Sequence, residues 1–514
     1  MAEPRYMIGT DIGTTGTKSV LFTPSGTVVA KALVEYPLLS PTPATAVQDP
    51  EQIFAAVVET VQQVATQVEP HQILGLAFSS AMHSLIAVAA NDSLLTPSIT
   101  WADNRSATWA EKIKRDAPEL YHRTGTPIHP MSPLVKLVWL RQEQPEIFQQ
   151  AARFISIKEY VCYRLFGRYV VDHSIASATG LLNLSRLDWD DGALELAGVH
   201  PDQLSELVPT TEVLTGMAPE LARQIGLRSQ TPVVIGASDG VLSNLGVGAV
   251  APGVVAATIG TSGAIRAVVD RPVTDPQARL FCYALTASQW VVGGPVNNGG
   301  IALRWMRDQL GETEIQTAKQ RGQDPYDLLI DLAATVPAGS DGLLFHPYLL
   351  GERSPLWDAN ARGSFFGLSL SHTRAHLVRA VLEGILLNMQ IVLQALQDFT
   401  GETRQIQATG GFARSRFWRQ MMADVFNQPI TIPEQYESSC LGAAILGLYA
   451  LKQIDSLQVE PQMIGSTHQH QPVVEQAAIY QKILPLYGRL LDRFQAEYGA
   501  IAALQAELKK LTEP

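Results

Sequence analysis

The chain has 514 residues, 46% of them hydrophobic and 17% charged, with a net charge of −11; that length suits roughly two to four domains, and that composition excludes disorder. No basic block is present, which excludes a nucleic-acid surface, because neutralising phosphates needs clustered lysine and arginine. The three cysteines, Cys162, Cys282 and Cys440, form no CxxC pair, no run reaches about 18 uncharged apolar residues, and the first strand begins without a basic-then-apolar leader. The expectation is a soluble cytoplasmic protein with reduced thiols and no membrane partner.

Three strands joined by tight turns are predicted first. "YMIG" leads into one, "SVLF" belongs to the next, "TPSGT" at 23–27 is a turn, and "VVAKALVEYPL" is the third. A helix follows, with Asp49 as N-cap, Pro50 in its first turn and apolar residues at 53, 54, 57, 58, 61, 64 and 68. "ILGLAFSS" at 73–80 returns to strand, so the order is β-β-β-α-β. The second half replays it: two strands in "GVVAATIGTSGAIRAVV", a third in "FCYALTASQWVVGGPV", and a helix from Gly299. Then come a long helix at about 375–398, a strand "RQIQATGG", a helix at 415–427, a strand "PITIP" and a helix at about 438–451. The small-residue stretch "GVGAVAPG" places a boundary near 248, dividing the chain into domains 1–248 and 249–514. Two similar α/β halves are expected to bind ligand in a cleft between them.

The replay extends to a motif. "IGTDIGTTGTKSVLF" at 8–22 is echoed by "VAATIGTSGAIRAVV" at 255–269. In the first copy Gly13, Thr14, Thr15 and Gly16 let backbone and hydroxyl donors approach an anion, and Lys18 adds a point charge. Asp11 would repel a triphosphate unless a cation lay between them, and Mg²⁺ is the ion that binds through one or two carboxylates plus phosphates. The second copy has Thr258 in the matching place, so Gly260, Thr261 and Ser262 can grip phosphate without a metal. Either copy alone is equally well a plain hairpin turn; the pair favours a nucleotide. Neither is the Walker pattern.

Three further stretches carry chemistry. "TPVVIGASDG" at 231–240 puts Asp239 at the carboxyl end of a buried strand, where it can take a proton from a hydroxyl or simply form an Asx turn. "SSAMHSLIAV" and "ITWADNRSATWAEKI" gather Met82, His83, Trp101, Asp103, Asn104 and Arg105, a mixture that suits a polyol. The competing readings are a half-buried histidine, a core tryptophan and a helix cap. "QIQATGGFARSRFW" at 405–418 offers Gly410 and Gly411 as a surface for adenine or ribose, or as a tight turn.

In this order the pieces resemble the FGGY family of carbohydrate kinases. "MSPLVKLVWL" at 131–140, with Lys136 and Trp139, is similar to the family's first signature. "GSFFGLSLSHTRAHLVRAVLE" at 363–383, with Gly363, Gly367, His376, Ala380 and Glu383, is similar to its second. The resemblance runs from residue 7 to about 450 and implies an α/β protein of two ribonuclease H-like (actin-like) domains with a cleft between them. It makes Asp11 part of the first phosphate motif, Gly260 to Ser262 the second, and Gly410 and Gly411 the adenosine motif. Asp239 becomes the catalytic base and a ligand, with Asp11, of Mg²⁺. Met82, His83, Trp101, Asp103, Arg105 and Asp239 become the substrate wall. Gly13, Thr14, Thr15, Lys18, Gly299 and Gly300 join the ATP site. "SSAMHS" and "WADNR" depart from the Gly-Gln-Met-His-Gly and Trp-Asn-Asp patterns of xylulokinases. Together with "RTGTPIHPMSP", "ATIGTSGAIR" and "GGPVNNGG" they look instead like the gluconate kinases.

That similarity implies transfer of phosphoryl from ATP to D-gluconate, giving 6-phospho-D-gluconate and ADP, with Arg105 or His83 facing the acid carboxylate. Phosphorylation of xylulose or a related polyol is the alternative, and an actin- or Hsp70-like ATPase switch is the more distant one. A homodimer is an assembly the sequence leaves open.

Overall fold

The computed structural model describes residues 4–433, 437–458, 461–465 and 467–512. β1 (Tyr6–Ile12), β2 (Gly16–Phe22) and β3 (Val28–Glu35) form the expected antiparallel run. α1 (Pro50–Ala65) begins as its sequence dictates, the Asp49 carboxylate accepting from the Glu51 N–H at 2.9 Å with Pro50 in the first turn. β4 (Ile73–Ser80) then lies parallel to β1. Next come α2 (Pro133–Glu143), α3 (Ile157–Phe166), β5 (Val170–Asp172), α4 (His173–Ser177), β6 (Val213–Leu214), β7 (Val233–Ser238) and α5 (Asp239–Gly246). The first sheet has the order β6-β7-β4-β1-β2-β3.

Alternation decides which face each strand residue serves. Ile8, Leu21, Leu76 and Phe78 join Ile53, Val57, Val61 and Val64 of α1 in one core cluster. Their neighbours Met7, Val20, Ala77 and Val234 belong to a second cluster with Val241 and Leu245 of α5. The sheet is thus buried on both faces, as a sheet with parallel central strands requires.

β8 (Val254–Ile259) and β9 (Gly263–Val269) form the second hairpin. The run expected as one strand at 281–296 is two, β10 (Phe281–Ala284) and β11 (Trp290–Val296). The polar residues between them turn the chain, with Leu285 N–H bonded to the Gln289 carbonyl at 2.9 Å. α6 (Gly300–Leu310), α7 (Pro325–Ala334), α8 (Arg374–Thr400), β12 (Gln405–Thr409), α9 (Arg416–Phe426), β13 (Ile430–Pro433), α10 (Ser438–Ala450) and β14 (Thr467–His470) follow. The second sheet has the order β10-β11-β9-β8-β12-β13-β14.

α8 is, among the described residues, the one helix long and apolar enough by length and composition to cross a membrane, yet 83% of its most apolar window is buried inside the protein. It is a core helix. Glu383 of the second signature sits on it, 3% exposed, accepting from Arg379, Tyr480, Ser340 and the Gly339 N–H.

The chain forms two compact units. The first holds Met1–Ala251 with Val268–Val292 and Glu437–Gly465; the second holds Pro252–Ala267, Gly293–Tyr436 and Ser466–Pro514.

Candidate active site

In the first unit three parallel strands end side by side. Asp11 of β1 and Ala237 of β7 both pair with Ser79 of β4, and Ile12 and Ser238 both pair with Ser80. Asp11 and Asp239 therefore emerge at one carboxyl edge, two interstrand spacings or about 10 Å apart along the backbone. This is the edge where open α/β sheets bind ligands. Ser79 Oγ donates to Asp11 Oδ1 at 2.7 Å. Burial raises the Asp11 pKa, and Ser79 and the Lys18 charge only partly oppose it. Asp239 opens α5, and the Gly240 N–H donates to its Oδ1 at 2.7 Å. Among the described residues no three His, Cys, Asp or Glu side chains gather as a metal cage. The donor set fits an ion held through one or two carboxylates and otherwise by phosphate and water.

The Gly/Thr turn is fastened from behind. Tyr36 OH donates to the Gly13 carbonyl at 2.6 Å, Gln48 Nε2 to the Thr14 carbonyl at 2.7 Å, and Trp101 Nε1 to Thr14 Oγ1 at 2.9 Å. Burial pushes the Tyr36 phenol up to about 12, so it remains a donor. Thr15, at the tip, is exposed. Lys18 lies across the hairpin from Asp11 but forms a 2.7 Å ion pair with Glu437. Burial lowers the pKa of Lys18 and Glu437 more than restores it.

Trp101 joins the phosphate turn to the proposed sugar wall. His83 is buried at φ 70°, with Nδ1 2.7 Å from the Ala178 carbonyl, and Met82 beside it is half-buried. Asp103 is 1% exposed; it accepts from the Ala46 N–H at 2.9 Å and from Arg105 Nε at 3.0 Å and Nη2 at 2.9 Å. The Arg105 guanidinium also lies 4.5 Å over the Trp139 ring. Asn104 is exposed, its N–H bonded to the Ala44 carbonyl.

Lys136 of the first signature is the hub behind this wall. Its ammonium donates to the carbonyls of His83 at 2.6 Å, Thr100 at 2.7 Å and Met131 at 2.9 Å. Burial draws its pKa down to about 7, against the Asp103 charge and with the Arg105 charge. Three loops are thereby tied to one cation, which positions His83 and the 101–105 segment together.

The second unit repeats the hairpin with neutral chemistry. Thr258 is paired with Thr409 of β12, their hydroxyls 3.3 Å apart, as Asp11 is paired with Ser79. Gly300 N–H bonds to the Gly260 carbonyl at 2.7 Å and Ile301 N–H to Thr261 at 3.0 Å, docking the start of α6 on the turn. A Cβ at Gly299 would lie 2.6 Å from the Ser262 carbonyl, so glycine is required there. Asn297 and Asn298 ahead of it are held by the buried Glu352 carboxylate, which burial pushes up to about 7 against their donated hydrogen bonds.

Beside this turn is a cavity of about 210 Å³ lined by Gly260, Gly300, Arg304, Tyr326, Gly411 and Trp418, among others. Gly410 has φ 106°, and a Cβ there would lie 2.2 Å from the Ile259 carbonyl; a Cβ at Gly411 would meet nothing within 4 Å. The first glycine lets the chain turn, and the second leaves room in the cavity.

Sequence profiles of the FGGY family of carbohydrate kinases match this chain twice, the N-terminal domain over residues 6–246 and the C-terminal domain over 255–451. The chain belongs to the FGGY family of carbohydrate kinases. A Bacillus subtilis strain 168 protein named gluconokinase is 54% identical over 98% of this chain and 99% of its own length. An Escherichia coli K12 xylulose kinase is 30% identical over 95% of this chain and 98% of its own. A crystal structure of gluconate kinase from Lactobacillus acidophilus superposes with a TM-score of 0.91 at 40% identity, covering 97% of this chain and all (100%) of that one. A ligand-bound structure from the same organism, named xylulose kinase, matches with the same TM-score and identity. The duplicated ribonuclease H-like fold expected from the sequence is thus the fold of this FGGY kinase. ATP is the phosphoryl donor that membership implies.

Several residues of this FGGY kinase's site escape sequence reasoning. Gln48, Tyr36 and Glu437 are single polar residues with no motif around them, and Arg304 and Trp418 read as ordinary helix positions. The pairing of Arg105 with Asp103, by contrast, is the alternative to a substrate contact that "WADNR" leaves open in the sequence.

Proposed function

We propose that the protein transfers the γ-phosphoryl group of ATP to the terminal hydroxyl of D-gluconate, giving 6-phospho-D-gluconate and ADP. The observation that carries this reading is the 54% identity to Bacillus gluconokinases over nearly the whole chain, against 27% and 30% for the xylulose kinases of Bacillus subtilis and Escherichia coli. Residues 1–248 act as the substrate domain and residues 249–514 as the nucleotide domain. Met82, His83, Trp101, Asp103 and Arg105 hold the sugar acid. Asp103 takes Nε and Nη2 of Arg105, and we assign Nη1 to the substrate carboxylate, because an anion withdrawn from water requires a cation. His83 is the second choice for that role.

Asp239 orients the hydroxyl and accepts its proton as the oxygen attacks phosphorus in line. Gly13 to Thr15 and Lys18 from one hairpin, and Gly260 to Ser262 from the other, hold phosphate oxygens. Gly299 and Gly300 brace the second turn, and Gly410 and Gly411 border the adenosine. Asp11 and Asp239 would hold Mg²⁺, which neutralises phosphate charge when bound. Both substrates are intracellular metabolites, so we place the enzyme in the cytoplasm.

A phosphorylation screen of purified protein tests the reading, with gluconate, xylulose, glycerol and water as acceptors. Gluconate should give the highest kcat/KM; faster turnover of xylulose would transfer the assignment to that sugar. Asp239→Asn should lower kcat about 10²-fold or more with ATP affinity little changed. Near-normal turnover in a folded variant would remove Asp239 as the base.

A further inference from the structure

The strand that delivers Asp239 is irregular just before it does so. Gly236 has φ 72°, and the register of β7 against β4 shifts between Val234 and Ala237. That is a bulge, and a bulge loosens the ladder that would otherwise fix the residues after it. The two residues between the bulge and Asp239 resume their pairing with β4 and are held as well by side chains from α3 and α4. Lys158 of α3 donates to the Ala237 carbonyl at 3.3 Å and to Asp172 Oδ2 at 2.7 Å. Asp172 Oδ1 caps α4, accepting from the N–H groups of Ser174 and Ile175, each at 3.0 Å. Ser174 Oγ in turn accepts from the Ser238 N–H at 3.2 Å and lies 3.1 Å from Ser238 Oγ.

All four side chains are buried: Lys158 and Asp172 are each 1% exposed, Ser174 and Ser238 0%. A buried ion pair is poor value for stability, because desolvation offsets its attraction. Its residue-level consequence here is geometric. The pair fixes α4, α4 fixes the Ser174 hydroxyl, and that hydroxyl fixes the Ala237–Ser238 peptide, one residue ahead of Asp239.

We propose that Ser174, set in place by the Lys158–Asp172 pair, is a positioning residue that aims the Asp239 carboxylate. The inference rests on the reading of Asp239 as the base. A carboxylate displaced by about 1 Å loses rate on the order of 10²-fold.

Ser174→Ala is the informative variant, because alanine keeps the N–H that Asp172 caps and removes only the hydroxyl. It should lower kcat for gluconate about 10- to 100-fold, with KM for ATP within about twofold of wild type. Made in an Asp239→Asn background, it should cost less than about twofold more, since nothing remains to be aimed. Ser238→Ala, which deletes the hydroxyl contact but keeps the N–H that Ser174 accepts, should show the same kcat-only pattern in smaller size if the first variant folds poorly. Unchanged kcat in Ser174→Ala, with Asp239→Asn inactive, overturns the positioning role alone. Equal losses in both backgrounds also overturn it, as they would report general loosening. An active Asp239→Asn enzyme overturns the reading of the base itself.

Discussion

Asp11 and Thr258 occupy matching places in two hairpins, and the difference in charge separates what each can hold. Thr258 shares a hydroxyl contact with Thr409 and needs nothing further. Asp11 has one short hydrogen bond from Ser79, and burial raises its pKa, so its ionised form is under-compensated. The folded chain thus holds this proton to higher pH than the unfolded chain does. That favours folding at acid pH and is lost as pH rises through the raised value. Asp11→Asn should therefore leave Tm at neutral pH equal to or above that of wild type without Mg²⁺. It should also raise the Mg²⁺ concentration for half-maximal rate about tenfold or more, the scale of a lost charge-assisted contact. A lower Tm with an unchanged Mg²⁺ requirement would make Asp11 a structural carboxylate.

Arg105 poses the same kind of question. Lysine cannot reproduce its two-pronged grip on Asp103, so Arg105→Lys should loosen the wall for every substrate. If Nη1 reads the acid, KM should rise about tenfold more for gluconate than for an uncharged polyol of similar length, the value of one charge-assisted bond. Equal losses would leave Arg105 as a brace only. Asp11, Asp239 and the glycine turns are legible in the sequence because each interrupts an apolar run. The partners of Lys18, Lys136 and Lys158 are not, since a lysine's target is set by tertiary approach: Glu437 lies 419 residues from Lys18.

Elements show the same division. α1, α8 and the strands around each hairpin carry a clear period or cap, and the structure has them within a few residues of the expected ends. α2 has no polar face over residues 133–140, all of which are buried, so periodicity could not announce it. The hairpin at 281–296 is hidden because two buried strands joined by five residues, 285–289, read as one apolar run. The pair Gly410 and Gly411 is legible as a turn, but its two halves differ in what they do. Gly410→Ala would force a side chain into positive φ against the Ile259 carbonyl. It should destabilise by about 2–4 kcal/mol, read as a fall in the urea midpoint. Gly411→Ala has free space around it and ordinary backbone, so its urea midpoint should match wild type. Its methyl group enters the cavity, and KM for ATP should rise several-fold while KM for gluconate holds. The reverse pattern, with Gly411→Ala unstable and kinetically normal, would detach this cavity from the nucleotide.

At the scale of the whole molecule, the duplication gives each unit one hairpin, and in the proposed function the sugar acid lies on the first unit and the adenosine on the second. The carboxylates and the wall at 82–105 lie in the first unit; the neutral turn and its cavity lie in the second. A ligand at 100 times its Kd stabilises the state it binds by about 2.7 kcal/mol. In a chain of two units that stabilisation need not appear as one shift in one melting curve, because two-state unfolding is not assured. Peptide-resolved hydrogen exchange separates the contributions, since protection reports local opening. Saturating Mg·ADP should slow exchange in peptides covering 259–262, 299–304 and 410–418. Gluconate alone should slow exchange in peptides covering 80–105 and 236–241. The nucleotide result tests the cavity and the sugar result tests the wall, so neither depends on turnover. Protection by Mg·ADP that spares 410–418, or by gluconate that spares 80–105, would move the corresponding ligand elsewhere in the chain.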